Sequence, residues 1–284
     1  MRTVKPEQEN KPDTAEIIDV LPRLIDLMRW GMSEMHRAQV FVGHGTDNAW
    51  DDMLHLAFCA LGLPLDVPST LSSTLLTATL LKAEREVLVS LIRRRVDERI
   101  PVPYLTRTAW FARLPFYIDK RALIPRSPFA EVVEAGFERY WNADTSPPNQ
   151  ILELCTGSGC IAILCALRYP DAHVVATDIS EDALNVARIN VARHRVPVTL
   201  THGDLFASVT GRFDVIVANP PYVAEADWAV SPAEFHQEPK LALTAGEDGL
   251  ELVRRILMVR GSLSFTARIW LLIWKRAKSP DDNS

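Results

Sequence analysis

Apolar residues recur at helical intervals through residues 17–99 and gather into short runs after residue 150. Ile17, Ile18, Leu21, Leu24, Ile25 and Met28 share one helical face, with Asp13 or Thr14 as N-cap. A second helix is expected from Thr46 or Asp47 through Met53, Leu54 and Phe58 to Gly62, before Pro64 and Pro68 break the chain. A third starts after the Ser/Thr cluster at 69–74 and reaches about Arg99. Residues 1–14 are polar and read as a disordered tail, which leaves 15–100 as a small helical domain. Pro101 and Pro103 mark a boundary. Aromatic and β-branched residues then dominate 104–124, with 113–115 as turn, so 101–127 reads as a β-hairpin linking two domains. A helix over 128–140 and a loop at 146–149 follow. Strands at 151–155, 173–177, 198–201 and 213–218 then alternate with helices at 161–168, 181–194 and 249–259. That order predicts an α/β domain over 128–284 built on a parallel, doubly wound sheet.

With 284 residues, 48% of them hydrophobic, the chain can bury one sizeable core and a smaller one. A net charge of −5 argues against a general nucleic-acid coat. Cys59, Cys155, Cys160 and Cys165 form no C-x-x-C and have no histidine at metal-ligand spacing, so free thiols in a reducing cytoplasm and no metal are expected. The polar start is no signal peptide, and the apolar run at 269–274 is too short to cross a bilayer, so no membrane partner is expected.

Candidate chemistry sits at the strand ends. Strand 151–155 runs into Thr156-Gly157-Ser158-Gly159-Cys160, with Ala162 completing G-x-G-x-x-A between a strand and a helix. Glycines there let the backbone turn sharply and approach a ligand. Asp178 ends the next strand, 19 positions after Gly159, where a carboxylate can accept both hydroxyls of a ribose. The alternative for Asp178 is a helix cap, a role that Ser180 suits better. A ribose belongs equally to NAD and to S-adenosylmethionine. Two features favour the second. Gly203-Asp204-Leu205 closes the third strand, where Asp204 can meet an adenine amino group and Leu205 its ring. Asn219-Pro220-Pro221-Tyr222 follows the fourth strand. Its prolines keep the backbone out of a ladder, so Asn219 Oδ1 and the Pro220 carbonyl can accept both hydrogens of one planar NH2 group, with Tyr222 as a stacking face. That arrangement has no task in hydride transfer and has one in methyl transfer to nitrogen.

These motifs, from Glu153-Leu-Cys-Thr-Gly-Ser-Gly-Cys-Ile-Ala162 to Glu238-Pro239 and Gly246-Glu-Asp-Gly249, resemble the class I methyltransferases of the HemK/PrmB group. That group modifies glutamine side chains of proteins. The resemblance covers nearly all of residues 17–258 and implies a Rossmann-like methyltransferase domain behind a helical substrate-recognition domain and a hairpin. Segment 41–51, Ile124-Pro-Arg-Ser-Pro128 and Cys155 look like the branch that methylates large-subunit ribosomal protein L three. The sister branch acts on the Gly-Gly-Gln glutamine of release factors. The resemblance implies that Thr156, Gly157, Ser158, Gly159 and Cys160 line the methionyl end of S-adenosylmethionine, with Asp178 on the ribose and Asp204 and Leu205 beside the adenine. It implies that Asn219 and Pro220 bind the glutamine amide beside Pro221 and Tyr222, with Phe116 as an aromatic wall. The other reading of Phe116 is an ordinary core residue of the hairpin.

Residues 91–126 hold nine Lys/Arg against three Asp/Glu. The plain reading is a set of solvated helix charges. The sharper one is a docking surface for the ribosomal substrate or its RNA, in weak contact. His44 is expected to be structural. After about residue 259 the group's expected strand, helix and hairpin do not appear, apart from one candidate strand at 269–274, so the domain reads as truncated or replaced there. The competing functions are a release-factor glutamine methyltransferase, an adenine-N6 methyltransferase acting on a flipped base, and an inactive truncated homologue.

Overall fold

A computed structural model of the chain describes residues 13–65, 69–137, 147–259 and 271–272. It divides into two compact units, Met1–Thr106 and Arg107–Ser284. The expected disordered tail lies outside the described residues apart from Asp13 and Thr14, as does the chain after Val259 except Leu271 and Leu272.

The first unit is helical: α1 (Thr14–Val20), α2 (Leu24–Arg37), α3 (Ala49–Ala60), α4 (Ser69–Thr77), α5 (Lys82–Asp97) and α6 (Val102–Thr106). Its core gathers Leu24, Leu27, Met28, Met53, Leu56, Phe58, Leu88 and Ile92. Two predicted helices are each split, and one contact explains both breaks. Pro22 cannot extend α1, and its carbonyl accepts Leu80 N–H at 2.8 Å while Leu24 N–H donates to Ala78 O at 3.2 Å. The segment between α1 and α2 thus pairs with the one between α4 and α5, a long-range contact that periodicity cannot show. Helix α3, expected from Thr46 or Asp47, starts two or three residues later at Ala49, because Asn48 is the cap and its side chain accepts Asp51 N–H. His44 is buried, edge-on to Phe41.

The predicted hairpin begins later than the sequence implied. Tyr104 belongs to α6, and the strands are β1 (Thr108–Phe111) and β2 (Leu114–Tyr117). The turn is Ala112-Arg113 rather than 113–115; both residues have positive φ, as a two-residue hairpin turn requires, yet neither is a type that advertises it. The next helix, α7 (Phe129–Glu134), is shorter than predicted because Gly136 turns left-handed and the N–H groups of Gly136 and Phe137 close on Val133 and Val132. Residues 138–140 lie outside the described residues.

The predicted alternation then follows: β3 (Gln150–Leu154), α8 (Cys160–Arg168), β4 (His173–Asp178), α9 (Glu181–His194), β5 (Val198–His202), β6 (Val215–Ala218), α10 (Glu225–Ala229), α11 (Glu251–Val259) and β7 (Leu271–Leu272). The strands form a parallel sheet in the order β5-β4-β3-β6-β7. Within the candidate strand 269–274, the described Leu271 and Leu272 pair with Ile216 and Val217. The central strands β3, β4 and β6 are covered on both faces, so their apolar residues come at successive positions, while edge strand β5 alternates. Ile151, Val174, Ala176, Val215 and Val217 pack on the side of α7 and α8. Leu152, Leu154, Val175, Ile216 and Ala218 pack with Leu205, Phe213 and Ile256 of α11 on the other side. The chain order reverses at β3, with β4 on one side and β6 on the other, so a crevice opens at the carboxyl ends of β3 and β6.

Candidate functional site

Strand register lines up the candidate residues. Leu154 pairs with Thr177 on one side and with Ala218 on the other. The residues one step further are Cys155, Asp178 and Asn219, set about 4.8 Å apart in neighbouring strands. Asp178 is in turn level with His202 of β5, two residues before Asp204. The glycine loop, the three Asp and Asn candidates and the Pro-Pro loop therefore share one edge.

The loop is held from below. Thr156 N–H donates to Thr177 O at 2.9 Å, and Gly157 N–H donates to Asp178 Oδ2 at 2.8 Å. Glu153 lies on the face of β3 covered by α8 and is buried; its Oε2 accepts both the Thr156 hydroxyl (2.5 Å) and Ala162 N–H (2.9 Å). Burial pushes its carboxyl up to about 8, against the pull of those two bonds. Both donors meet the same oxygen, which leaves Oε1 to carry the proton. The sequence reading gave Glu153 no role, although a carboxylate inside an apolar strand must find partners.

Gly157 has φ +57°, and a Cβ added there would meet nothing within 4 Å, so this is where a ligand can approach the backbone. Gly159 is instead a packing glycine, whose added Cβ would come 3.2 Å from Ala187 Cβ. Thr156, Ser158 and Cys160 are buried, and burial pushes the Cys160 thiol up to about 12. Their side chains support the loop.

Asp178 Oδ1 accepts Ser180 N–H at 2.9 Å, and the Ser180 hydroxyl caps α9 by accepting Ala183 N–H, as the cap reading required. Backbone N–H groups of Gly157, Ser180 and Ile179 all meet the Asp178 carboxylate, so its two oxygens keep less than their full acceptor capacity for a ligand. Burial raises its pKa in opposition to those bonds. Asp204 accepts Arg255 of α11 at 2.6 Å, with both side chains half exposed. Leu205 is buried with Phe213 and Ile256. The Cys155 thiol is pushed far up, first by burial and then by the negative fields of Asp178, Glu153 and Asp204.

Pro220 and Pro221 are buried, and Asn219 and Tyr222 are half buried. Among the described residues neither the Asn219 side chain nor the Pro220 carbonyl has a hydrogen-bond partner. The loop is pinned at its exit. Tyr222 and Val223 N–H both donate to Leu243 O, Ala245 N–H donates to Val223 O, and the Tyr222 carbonyl would lie 2.2 Å from any Cβ on Gly249. The stretch before Leu243 is anchored by buried Glu238, which accepts Arg126 through both oxygens (2.6 and 3.0 Å) and Ile124 N–H at 3.0 Å. Two motifs quoted only as family marks, 124–128 and 238–239, are thereby one latch.

Phe116 fits the second of its two readings. Its ring is completely buried against Phe111 and His194, as a core residue of the hairpin would be. The basic residues of 91–126 each have a partner within the chain. In the first unit Arg93 pairs with Glu34, Arg94 with Glu98, Arg95 with buried Asp52, and Arg99 with the Ala38 carbonyl. In the second, Arg107 and Arg121 pair with Asp119, Arg113 with Glu134, Lys120 with Gln237 and Arg126 with Glu238. All nine cations face a partner inside the protein. Among the described residues no group of His, Cys, Asp and Glu is disposed to hold a metal ion.

Residues 142–248 match the methyltransferase small domain family. The chain is 41% identical over 246 residues to the ribosomal protein uL3 glutamine methyltransferase of Francisella tularensis, covering 86% of this chain and 77% of that one. It is 46% identical over 240 residues to the protein of the same name from Bordetella pertussis, covering 84% and 79%. Among solved structures, the hMettl16 catalytic domain superposes with TM-score 0.43 at 18% identity over 66% of each chain, too loosely to bear on substrate.

Proposed function

The chain belongs to the ribosomal protein uL3 glutamine methyltransferases, and from that membership we propose that it moves a methyl group from S-adenosylmethionine to the side-chain amide nitrogen of a glutamine in ribosomal protein uL3. The observation that carries the site assignment is the pair of open acceptors, Asn219 Oδ1 and the Pro220 carbonyl, one strand away from the glycine loop. The residues fit the cofactor. Gly157 leaves room beside the backbone, and the Asp178 carboxylate, held by the backbone at the end of its strand, is placed to accept ribose hydroxyls.

S-adenosylmethionine supplies an electrophilic methyl group. The protein's task is to make a poor nucleophile adequate, because an amide lone pair is delocalised. Asn219 Oδ1 and the Pro220 carbonyl take the two N–H groups of the glutamine amide, fix its plane and turn its face to the methyl group. Nitrogen becomes positive as the new bond forms, so both acceptors bind the transition state more tightly than the ground state. Tyr222, beside buried Pro221, packs against the side chain. No residue is assigned as general base, and the surplus proton leaves to water after transfer.

The helical unit, with segment 41–51, is assigned the recognition of the protein substrate. The protein is assigned to the cytoplasm, where ribosomal proteins are made; no described helix is long and apolar enough to cross a membrane. The test is labelled-methyl transfer into an extract from cells lacking their own glutamine methyltransferases, resolved by protein size. A labelled uL3 band is expected, and label in a release factor or in nucleic acid would overturn the assignment.

A further inference from the structure

The outer edge of β2 is closed by helix α9 rather than by another strand. Hydrogen-bonded and non-bonded pairs alternate along an antiparallel ladder. Ile118 N–H donates to Arg107 O at 3.4 Å, so the next registered pair, Thr108 with Tyr117, is non-bonded, as is Trp110 with Pro115. The backbone groups of Tyr117 and Pro115 therefore point away from β1, where an open edge would leave them unpaired. Asn190 and His194, one turn apart on α9, meet them. Asn190 Oδ1 accepts Tyr117 N–H at 2.7 Å, Asn190 Nδ2 donates to the Tyr117 carbonyl at 2.9 Å, and His194 Nε2 donates to the Pro115 carbonyl at 3.0 Å. Pro115 has no N–H and needs nothing more.

The same amide makes a third bond, from Nδ2 to Ser158 O at 2.9 Å, inside the glycine loop. Ala187, one turn earlier, packs on Gly159. Asn190 is completely buried, and its carbonyl and both N–H groups are engaged. A displacement of Ser158 must then be passed to Tyr117 or break a buried bond, which is costly.

We propose that Asn190 is a positioning residue that couples cofactor occupancy of the glycine loop to the order of the hairpin. This rests on the assignment of that loop to S-adenosylmethionine. The strand so held runs on to Ile124 and Arg126, which Glu238 latches near the support of Tyr222. Filling the cofactor site therefore firms the substrate side as well.

Hydrogen exchange of the full chain, with and without S-adenosylhomocysteine, tests this. In the wild type, exchange should slow in residues 157–162 and also, by about fivefold or more, in 114–118, with no matching change in the helical unit. Asn190→Asp keeps the acceptor for Tyr117 N–H and loses both donors. It should retain protection of the loop and lose the cofactor-dependent protection of the hairpin. Protection confined to the loop in the wild type, equal protection throughout the chain, or hairpin protection that survives in Asn190→Asp would overturn the coupling and leave the cofactor assignment standing. No protection of the loop would overturn both. The wild-type comparison decides even if the variant fails to fold.

Discussion

Asn219 is where the activity is most exposed to a single change. Removing its amide deletes one of two acceptors without touching the strand beneath, so Asn219→Ala should lower kcat by about 10²–10³-fold, as loss of a preorganised polar partner does. Its affinity for S-adenosylmethionine, read by calorimetry, should stay within about threefold of wild type, less than the about 1.4 kcal/mol that a tenfold change represents. Equal loss of both would remove Asn219 from the substrate side. Gly157→Ala should do the reverse. A side chain at φ +57° is strained by about 1–2 kcal/mol and fills the open space, so cofactor affinity should fall first. The same scale shows what a sequence conveys and what it withholds. The sequence places Gly157, Asp178 and Asn219 at strand ends, and the strand register brings those ends to one edge of the sheet. The burial of Phe116 was not legible, because an aromatic residue in a hairpin fits a core and a wall equally well until its neighbours are known. Cys155 adopts φ +58°, a left-handed conformation that few non-glycine residues take.

Elements that depend only on local rules were read almost to the residue, and those that depend on distant partners were not. Helix α9 was predicted with its observed limits because Ser180 caps it and nothing interrupts its face. Helices α1 and α2 were merged because the pairing of Pro22 with Leu80 has no local signature. The latch between 124–126 and Glu238 is likewise a contact between segments more than a hundred positions apart, and only the structure gives it a purpose. Its removal should be costly. Glu238→Ala leaves Arg126 and Ile124 N–H without that carboxylate, and unfolding in denaturant should show a loss of about 3 kcal/mol, the lower end for a broken buried pair since Arg126 keeps some solvent. A loss below about 0.5 kcal/mol, the range of ordinary surface substitutions, would mean that the loop before Tyr222 is held by something else.

For the whole molecule, the alternation after residue 150 sufficed to predict a parallel sheet, because burial on both faces is written into the three central apolar strands, β3, β4 and β6. Pro101 and Pro103 bracket the start of α6, and the division into compact units falls after Thr106. Stability against pH should carry the mark of Glu153. Its folded value of about 8 lies above the ordinary 4.5, so its contribution is fully present below pH 4.5 and is lost as pH rises through about 8. Asp119 runs the other way. Burial pushes it up, but the Arg121 and Tyr117 bonds bring it to about 2, so its contribution is present above its ordinary 3.8 and is lost as pH falls towards 2. Thermal midpoints of the wild type should therefore decline between pH 5 and 8 more steeply than those of Glu153→Gln, which cannot ionise; parallel curves would contradict the buried-acid assignment. The central claim concerns what is methylated. Purified uL3 from cells lacking its modification would be incubated with the full chain and S-adenosylmethionine, digested, and sequenced by tandem mass spectrometry. The account predicts one added methyl group on a glutamine side-chain nitrogen, absent with Asn219→Ala. Unmodified uL3 beside a methylated release factor, or a methyl group on a residue other than glutamine, would contradict it.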